Sequence, residues 1–363
     1  MSEKDIKIVE NIQKEIDKIN SKENKILFFV IDTKGVPSGS LEYIYNLALM
    51  LKNEGYDVEM LHTEDEFVGV GSWLGEEYTS LPHYNVNKDK FATSPSDLLI
   101  IPEIYSQVMN QTKNLPCKRI ALLQNYDYVV EQMPYAAQWG DFGIMEGITN
   151  SAFQASELNE VFPYVKLTKV TPFISKIFGK TNEPKQMVVN IIARDQNDIK
   201  KVVKPFYWKF PQFKWVSFKD LRNLSKSEFA KALREAAITI VIDENSSFMY
   251  SALESMKSGC VTMVKVPQTT VEWSETNDEV LPNCCVWFND YDTLHKQIAS
   301  VVRAWITDKV PSILNETAQE VLQQFSEERT KKELVAYIGS VFDKRKKEME
   351  DLIIQIKSQK EKE

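Results

Sequence analysis

The chain has 363 residues, 43% apolar and 26% charged, and its 44 Lys and Arg against 52 Asp and Glu leave a formal net charge of −8. At roughly 150 residues per domain this suggests about two domains with enough chain to bury one or two cores. A net negative chain is a poor general nucleic-acid binder, because duplex binding needs dense cations against phosphates; a local basic pocket for one phosphate ligand is still allowed.

Residues 1–24 place Ile6, Val9, Ile12, Ile16 and Ile19 at spacings of three and four, one apolar stripe on a charged helix. It reads as a helix packed on its own domain, with a partner-binding helix as the alternative. It lacks the apolar run of roughly 7 to 15 residues of a signal peptide. No stretch approaches the ~18 apolar residues that span a membrane. Ile26 to Ile31 is a continuous apolar run, the mark of a strand covered on both faces. The loop Thr33 to Ser40 follows, then a helix with Ile44, Leu47, Ala48 and Leu51 on one face that stops at Gly55, then a strand from Tyr56 to Leu61. This β–loop–α–β unit is the repeat of a doubly wound fold.

Strands are expected at Asp97–Pro102, Arg119–Leu123 and Val165–Val170, with a short helix at Ser151–Glu160. Residues 175–186, polar with Gly and Pro, are the best linker candidate. A second alternating series follows: strands at Met187–Ala193, Phe213–Phe218, Ile238–Ile242 and Cys260–Val264, with helices at Ser227–Ala237, Ser247–Ser258, Tyr291–Trp305 and Pro311–Phe325. The organisation expected is an N-terminal helix (1–24), two Rossmann-like α/β domains (25–175 and 187–325) facing each other across a cleft, and a C-terminal helix (326–363). That helix is read as returning onto the first domain. Its Lys344-Arg345-Lys346-Lys347 run allows a second reading, peripheral contact with an acidic membrane. Four cysteines without a CxxC pair, and only three His, form no zinc set of normal spacing and no disulfide scaffold. A reducing, cytoplasmic setting is expected, and no metal.

Three stretches carry candidate chemistry. In the loop Gly35 to Ser40, small residues between strand and helix let backbone N–H groups approach an anion, with Gly39 and Ser40 at the helix start; the alternative is an ordinary turn capped by Ser38 or Ser40. There is no GxGxxG and no GxxxxGK[ST]. Arg194, just past a strand, offers a planar cation for a diphosphate, with Lys200 and Lys201 on the next helix; the alternative is solvated surface cations. In Asp243 to Cys260, Phe248, Ala252 and Met256 share a face that packs on the sheet, while Ser247, Ser251 and Glu254 share another. The helix start at Ser246 and Ser247 fits a phosphate, and Glu254 can accept two hydrogen bonds from vicinal ribose hydroxyls, or else is a solvated carboxylate.

The two-domain plan and these motifs resemble a GT-B-fold glycosyltransferase, nearest the large retaining family 4 group that includes sucrose, glycogen and polysaccharide-building enzymes. Ser38-Gly39-Ser40-Leu41 and Gly55-Tyr56-Asp57-Val58 fall in register with that family's GG-x-E loop and G-H-x-V, and Arg194 and Lys200 with its G-R and following Lys. Phe248, Leu253, Glu254, Met256 and Gly259 match its E-x7-E segment, E-G-F-G-L-x-x-L-E-A-M-x-x-G, and Ile148 to Ser151 resembles the segment before the interdomain crossing. The similarity covers about residues 25–305. The first Gly of the loop is Ser38, the first Glu of E-x7-E is Ser246, and the strand that in many members ends in a His motif ends in Gln124-Asn125-Tyr126-Asp127, with none of His62, His83 or His295 replacing it. Pro102-Glu103 and Gln124 to Asp127 are similar to a rhamnosyltransferase-like subgroup.

The resemblance implies a nucleotide-sugar donor held mostly by the second domain and a glycan or lipid-linked acceptor on the first, with no divalent metal. Arg194, Lys200 and the Ser247 helix terminus would neutralise the diphosphate, Glu254 would hold the ribose, and Gly39 and Ser40 would meet the phosphate or acceptor. Retention would use a phosphate oxygen as base; inversion would use Glu103 or Asp127. Two other classes stay open: a degenerate binder without turnover, because of Ser246, and a nucleotide-sugar epimerase.

Overall fold

A computed structural model of the chain describes residues 3–89, 91–244, 246, 248–268, 271–273, 283–309 and 313–359. It divides into two compact units. The first comprises Met1–Gly71, Gly75–Thr171 and Lys331–Glu363; the second comprises Ser72–Leu74 and Pro172–Thr330.

The first unit runs α1 (Glu3–Ser21), β1 (Lys25–Phe29), α2 (Gly39–Asn53), β2 (Asp57–His62), β3 (His83–Asn85), β4 (Leu98–Pro102), α3 (Ser106–Gln111), β5 (Lys118–Leu123), α4 (Tyr126–Gln132), β6 (Glu146–Thr149), α5 (Ala152–Val161) and β7 (Lys166–Lys169). Its seven strands are parallel, in the order β3-β2-β1-β4-β5-β6-β7. The order reverses between β1 and β4, so the connections leaving those two strands diverge and open a crevice at their carboxyl ends. Apolar runs make the centre: Ile26 to Phe29 and Leu98 to Ile101 are buried, as strands covered on both faces must be. α2 starts at Ser38, whose hydroxyl accepts the Leu41 N–H at 3.4 Å, and ends before Gly55, whose φ of +84° reverses the chain.

The second unit runs β8 (Gln186–Ala193), α6 (Gln196–Lys209), β9 (Ser217–Asp220), α7 (Lys226–Glu235), β10 (Ala236–Ile242), α8 (Tyr250–Lys257), β11 (Val261–Lys265), β12 (Val286–Phe288), α9 (Tyr291–Ile306) and α10 (Ile313–Leu322). Its five parallel strands lie in the order β12-β11-β10-β8-β9, so its switch point is between β8 and β10. One helical layer packs around Phe206, Phe213, Ile298 and Val302, and the other around Phe248, Ala252, Met256 and Phe325.

Several expectations shift. The chain leaves the first unit at Thr171, and residues 175–186 lie inside the second: Lys176–Phe178 is a 3₁₀ turn that buries Phe178 in its core. The strand expected at Phe213–Phe218 starts at Ser217, because Phe213 and Val216 turn inward from a 3₁₀ turn at Pro211–Phe213. The helix expected from Ser247 starts at Tyr250.

α11 (Glu327–Gln359) carries the chain back to the first unit. There Phe342 stacks on Tyr56, Glu333 accepts the Thr171 N–H at 2.6 Å, and Met349 and Ile353 pack with Ile16 of α1. Three of the four residues of the basic run are bonded internally. Lys344 pairs with Glu146 at 3.2 Å, Arg345 donates to the carbonyls of Pro95 and Pro116, and Lys346 donates to Asn20. Among the described residues no helix is long and apolar enough to cross a membrane.

Candidate functional site

At the β1/β4 switch point of the first unit lies a cavity of about 440 Å³, lined among others by Ser38, Ser40, Glu103, Tyr105, Gln124 and Tyr128. Glu103 follows β4 directly and is 2% exposed. Its Oε1 accepts the N–H groups of Gln124 (3.1 Å) and Asn125 (2.9 Å), which lead out of β5, while Oε2 has no hydrogen-bond partner among the described residues. Burial pushes the carboxyl up to about 7, and the two backbone N–H groups only partly counter this. A carboxyl that titrates near neutrality beside a cavity can hold a hydroxyl as acceptor or as donor, and can take its proton. Gln124 Nε2 donates to the Ser40 carbonyl at 3.2 Å, tying the start of α2 to the end of β5.

At the β8/β10 switch point of the second unit stand Arg194, just past β8, and Asp243, just past β10. They form an ion pair at 3.2 Å that orients the guanidinium while its side chain stays 68% exposed. Lys265, closing β11, pairs with Glu244, which also accepts from Gln268 Nε2 at 2.8 Å. Tyr291 donates to Asp198 at 2.6 Å, and the ammonium groups of Lys201 and Lys265 each lie 5.5 Å from its ring centre. Lys201 also bonds Asp198 at 3.0 Å, and these bonds hold the Asp198 carboxyl below the usual range against the opposing effect of burial. Glu254 on α8 is buried at 6% exposure, so it is not a solvated helix carboxylate.

The chain enters α8 through Met249, whose φ of +53° lies in the left-handed region that a buried Met rarely adopts. Ser246 Oγ accepts the Met249 N–H at 3.0 Å and fastens that turn. Ser247 lies outside the described residues. Gly39 opens α2 under the Ser38 cap, as an ordinary βα turn does, and Ser40 borders the cavity. Asp127 sits in the first turn of α4, capped by Asn125, and is not among the cavity's lining residues. Lys200 is exposed on α6. Sequence reasoning missed Tyr105, Tyr128 and the Asp198–Tyr291–Lys265 group. Tyr105 lies two residues from Glu103 and was within reach of the strand-end argument; the others come together only through long-range packing.

All three His have structural roles, His62 and His295 buried and His83 half-buried. His83 bonds the Tyr45 hydroxyl at 2.8 Å, His62 stacks on Phe67, and His295 donates to the Lys201 and Val202 carbonyls. Among the described residues no group of three or more His, Cys, Asp or Glu is placed to hold a metal ion.

No family model matches the chain. An alpha-1,6-glucosyltransferase of Actinobacillus pleuropneumoniae serotype 7 (strain AP76) is 20% identical over 272 residues, 73% of this chain and 81% of that protein. The sucrose-phosphate synthase of Thermosynechococcus elongatus superposes with a TM-score of 0.61 at 11% identity, covering 88% of this chain and 99% of that one. Anabaena HepE, solved in complex with UDP-glucose, superposes with a TM-score of 0.58 at 12% identity, covering 87% and 99%. The fold is α/β with two parallel sheets, of the GT-B class.

Proposed function

We propose that this chain is a glycosyltransferase that moves a sugar from a nucleoside diphosphate to a hydroxyl of a glycan or lipid-linked acceptor. The observation that carries the reading is the second unit's switch point, where Arg194 stands exposed and oriented by Asp243 and the adjacent α8 holds the buried Glu254. The relative that transfers glucose and the neighbour solved with UDP-glucose support this donor class and make UDP-glucose the first donor to try. Transfer requires stabilising the departing diphosphate and a cationic sugar centre. Arg194 and Lys200 supply that positive charge without a divalent metal, and Glu254 accepts the ribose hydroxyls. Ser246 stands where the resembled family has Glu; its oxygen caps the turn into α8, so the donor sugar meets no carboxylate at that position.

The acceptor hydroxyl is assigned to the cavity beside Glu103, with Ser40 at its edge and Gly39 preceding it in the chain. The first reading is retention, with a phosphate oxygen taking the acceptor proton. One observation favours a second reading, inversion with Glu103 as base: this carboxyl titrates near neutrality and keeps one oxygen unpartnered among the described residues. Asp127, away from the cavity lining, is the weaker base. A thermal-shift panel of UDP-, GDP- and dTDP-sugars tests the proposal. The true donor at about 100 times its Kd stabilises the fold by about 2.7 kcal/mol. Arg194→Ala and Glu254→Ala remove the shift and the turnover while the unliganded fold stays intact. The anomeric configuration of the product, read by NMR, separates retention from inversion. Stabilisation without turnover on any acceptor leaves a degenerate binder, and conversion of the donor alone to an isomer identifies an epimerase.

A further inference from the structure

Residues 199–219 of the second unit hold six lysines (Lys200, Lys201, Lys204, Lys209, Lys214, Lys219) and no Asp, Glu, Asn or Arg, in a chain of net charge −8. The same stretch is rich in aromatics, and most of them face inward: Phe206 and Phe213 are core, and Tyr207, Phe210 and Phe218 pack against it. Two do not. Trp208 is 75% exposed at the end of α6, and Trp215 is 53% exposed after the 3₁₀ turn. Tyr207 donates to the Val216 carbonyl at 2.6 Å, and the Arg303 guanidinium lies over the rings of Phe210 and Phe213, so the corner that presents the two tryptophans is firmly built. Trp208 lines an open groove of about 620 Å³ with Tyr207, Pro211 and Lys214. Lys204 lies one helical turn before Trp208, on the same face. Lys201 and Lys209 are paired with Asp198 and Asp292. Lys204 and Lys214 have no acidic partner among the described residues.

We infer that this corner is the surface by which the protein rests on an anionic lipid bilayer, with Trp208 and Trp215 at headgroup depth and Lys204 and Lys214 against lipid phosphates. Composition selects the occupant. Protein interfaces favour Trp with Arg and are depleted in Lys, whereas the cations of this stretch itself are all Lys and the neighbouring Arg303 is engaged over the rings of Phe210 and Phe213. A sugar platform needs amide or carboxylate side chains around its ring to read hydroxyls, and this stretch has only Gln212. Trp with Lys is the pair that suits a bilayer surface, the ring lying between apolar and wet layers and the long stem keeping its ammonium in water. The basic run of α11 is less available, because Lys344, Arg345 and Lys346 are bonded within the first unit. The inference does not rest on the donor reading.

Flotation of the full chain with phosphatidylcholine vesicles, with and without phosphatidylglycerol, tests it. The expected result is co-flotation with the anionic vesicles only, lost at high salt. Partition falls about thirtyfold in Lys204→Gln/Lys214→Gln and at least tenfold in Trp208→Ala/Trp215→Ala. Lys346→Gln/Lys347→Gln leaves it unchanged. Failure of the wild type to float, equal binding to neutral vesicles, or equal binding by the two corner variants overturns it. So does retention on an immobilised polysaccharide that is lost in Trp208→Ala/Trp215→Ala without any flotation, which would reassign the corner to a glycan.

Discussion

Glu103 shows how one side chain's surroundings decide its chemistry. A carboxyl in water loses its proton near pH 4.5; this one, buried at the end of β4 with two backbone N–H groups on one oxygen, holds it to about pH 7. The folded-state value is raised above the unfolded one, so the folded chain binds more protons across that interval. The stabilisation is therefore fully present below pH 4.5 and lost as pH rises through 7, about 3 kcal/mol in all. Glu103→Gln keeps an oxygen for the two N–H groups and cannot titrate. Denaturant titrations at pH 4 and pH 8 are expected to show the wild type losing about 3 kcal/mol more than the variant over that step. Parallel losses would mean that water reaches the carboxyl. Tyr105, Tyr128 and Glu131 face the same cavity and remain in the variant, so the difference isolates Glu103. The same variant bears on catalysis: as the base for inversion, Glu103→Gln costs about 10² to 10⁴ in rate, and the wild-type rate climbs with pH through about 7.

At the scale of elements, α11 and α1 close the first unit together. Ile16 of α1 meets Met349 and Ile353 of α11, a small cluster beside the main core, and Arg345 fastens the helix to two loop carbonyls. Ile353→Ala is expected to cost about 2 kcal/mol and to speed amide exchange in α1 while leaving the strands of the second unit protected. The central strands were legible in the sequence for a physical reason. β1, β4 and β10 are apolar runs covered on both faces, and such runs stand out without any alignment. β3 and β12 have three residues each and lie at sheet edges, too short for any period to register. β6 has four and contains Gly147, whose hydrogen faces the Ala121 carbonyl so closely that a Cβ would stand 2.3 Å from that oxygen. This is tertiary packing, not a local preference. The site divides in the same way. The positions of Arg194 and Glu103 were legible because each follows a strand, whereas the cavity beside Glu103 gathers α2, α4, the end of β4 and Gln124 after β5, and exists only once the sheet order is set.

The whole molecule is two sheets with separate cores, and each sheet carries its candidate site residues at its own switch point. That arrangement follows from parallel strands: all connections leave from the carboxyl ends, and only where the order reverses do neighbouring connections part and leave backbone and side chains open to a ligand. Separate cores also predict how the chain unfolds. Each unit buries enough apolar surface to act as its own cooperative block, so heating is expected to give a calorimetric enthalpy larger than the van't Hoff enthalpy. A nucleoside diphosphate that binds through Arg194 and Glu254 stabilises the block that contains them. Calorimetry with UDP should raise the transition in which β8 and β10 amides lose protection, while the transition carrying β1 and β4 holds its temperature; Glu103→Gln should alter only the pH dependence of the latter. Hydrogen exchange followed across the two transitions assigns each to its sheet. One coincident transition, raised as a whole by UDP, would show the blocks coupled and refute their independence.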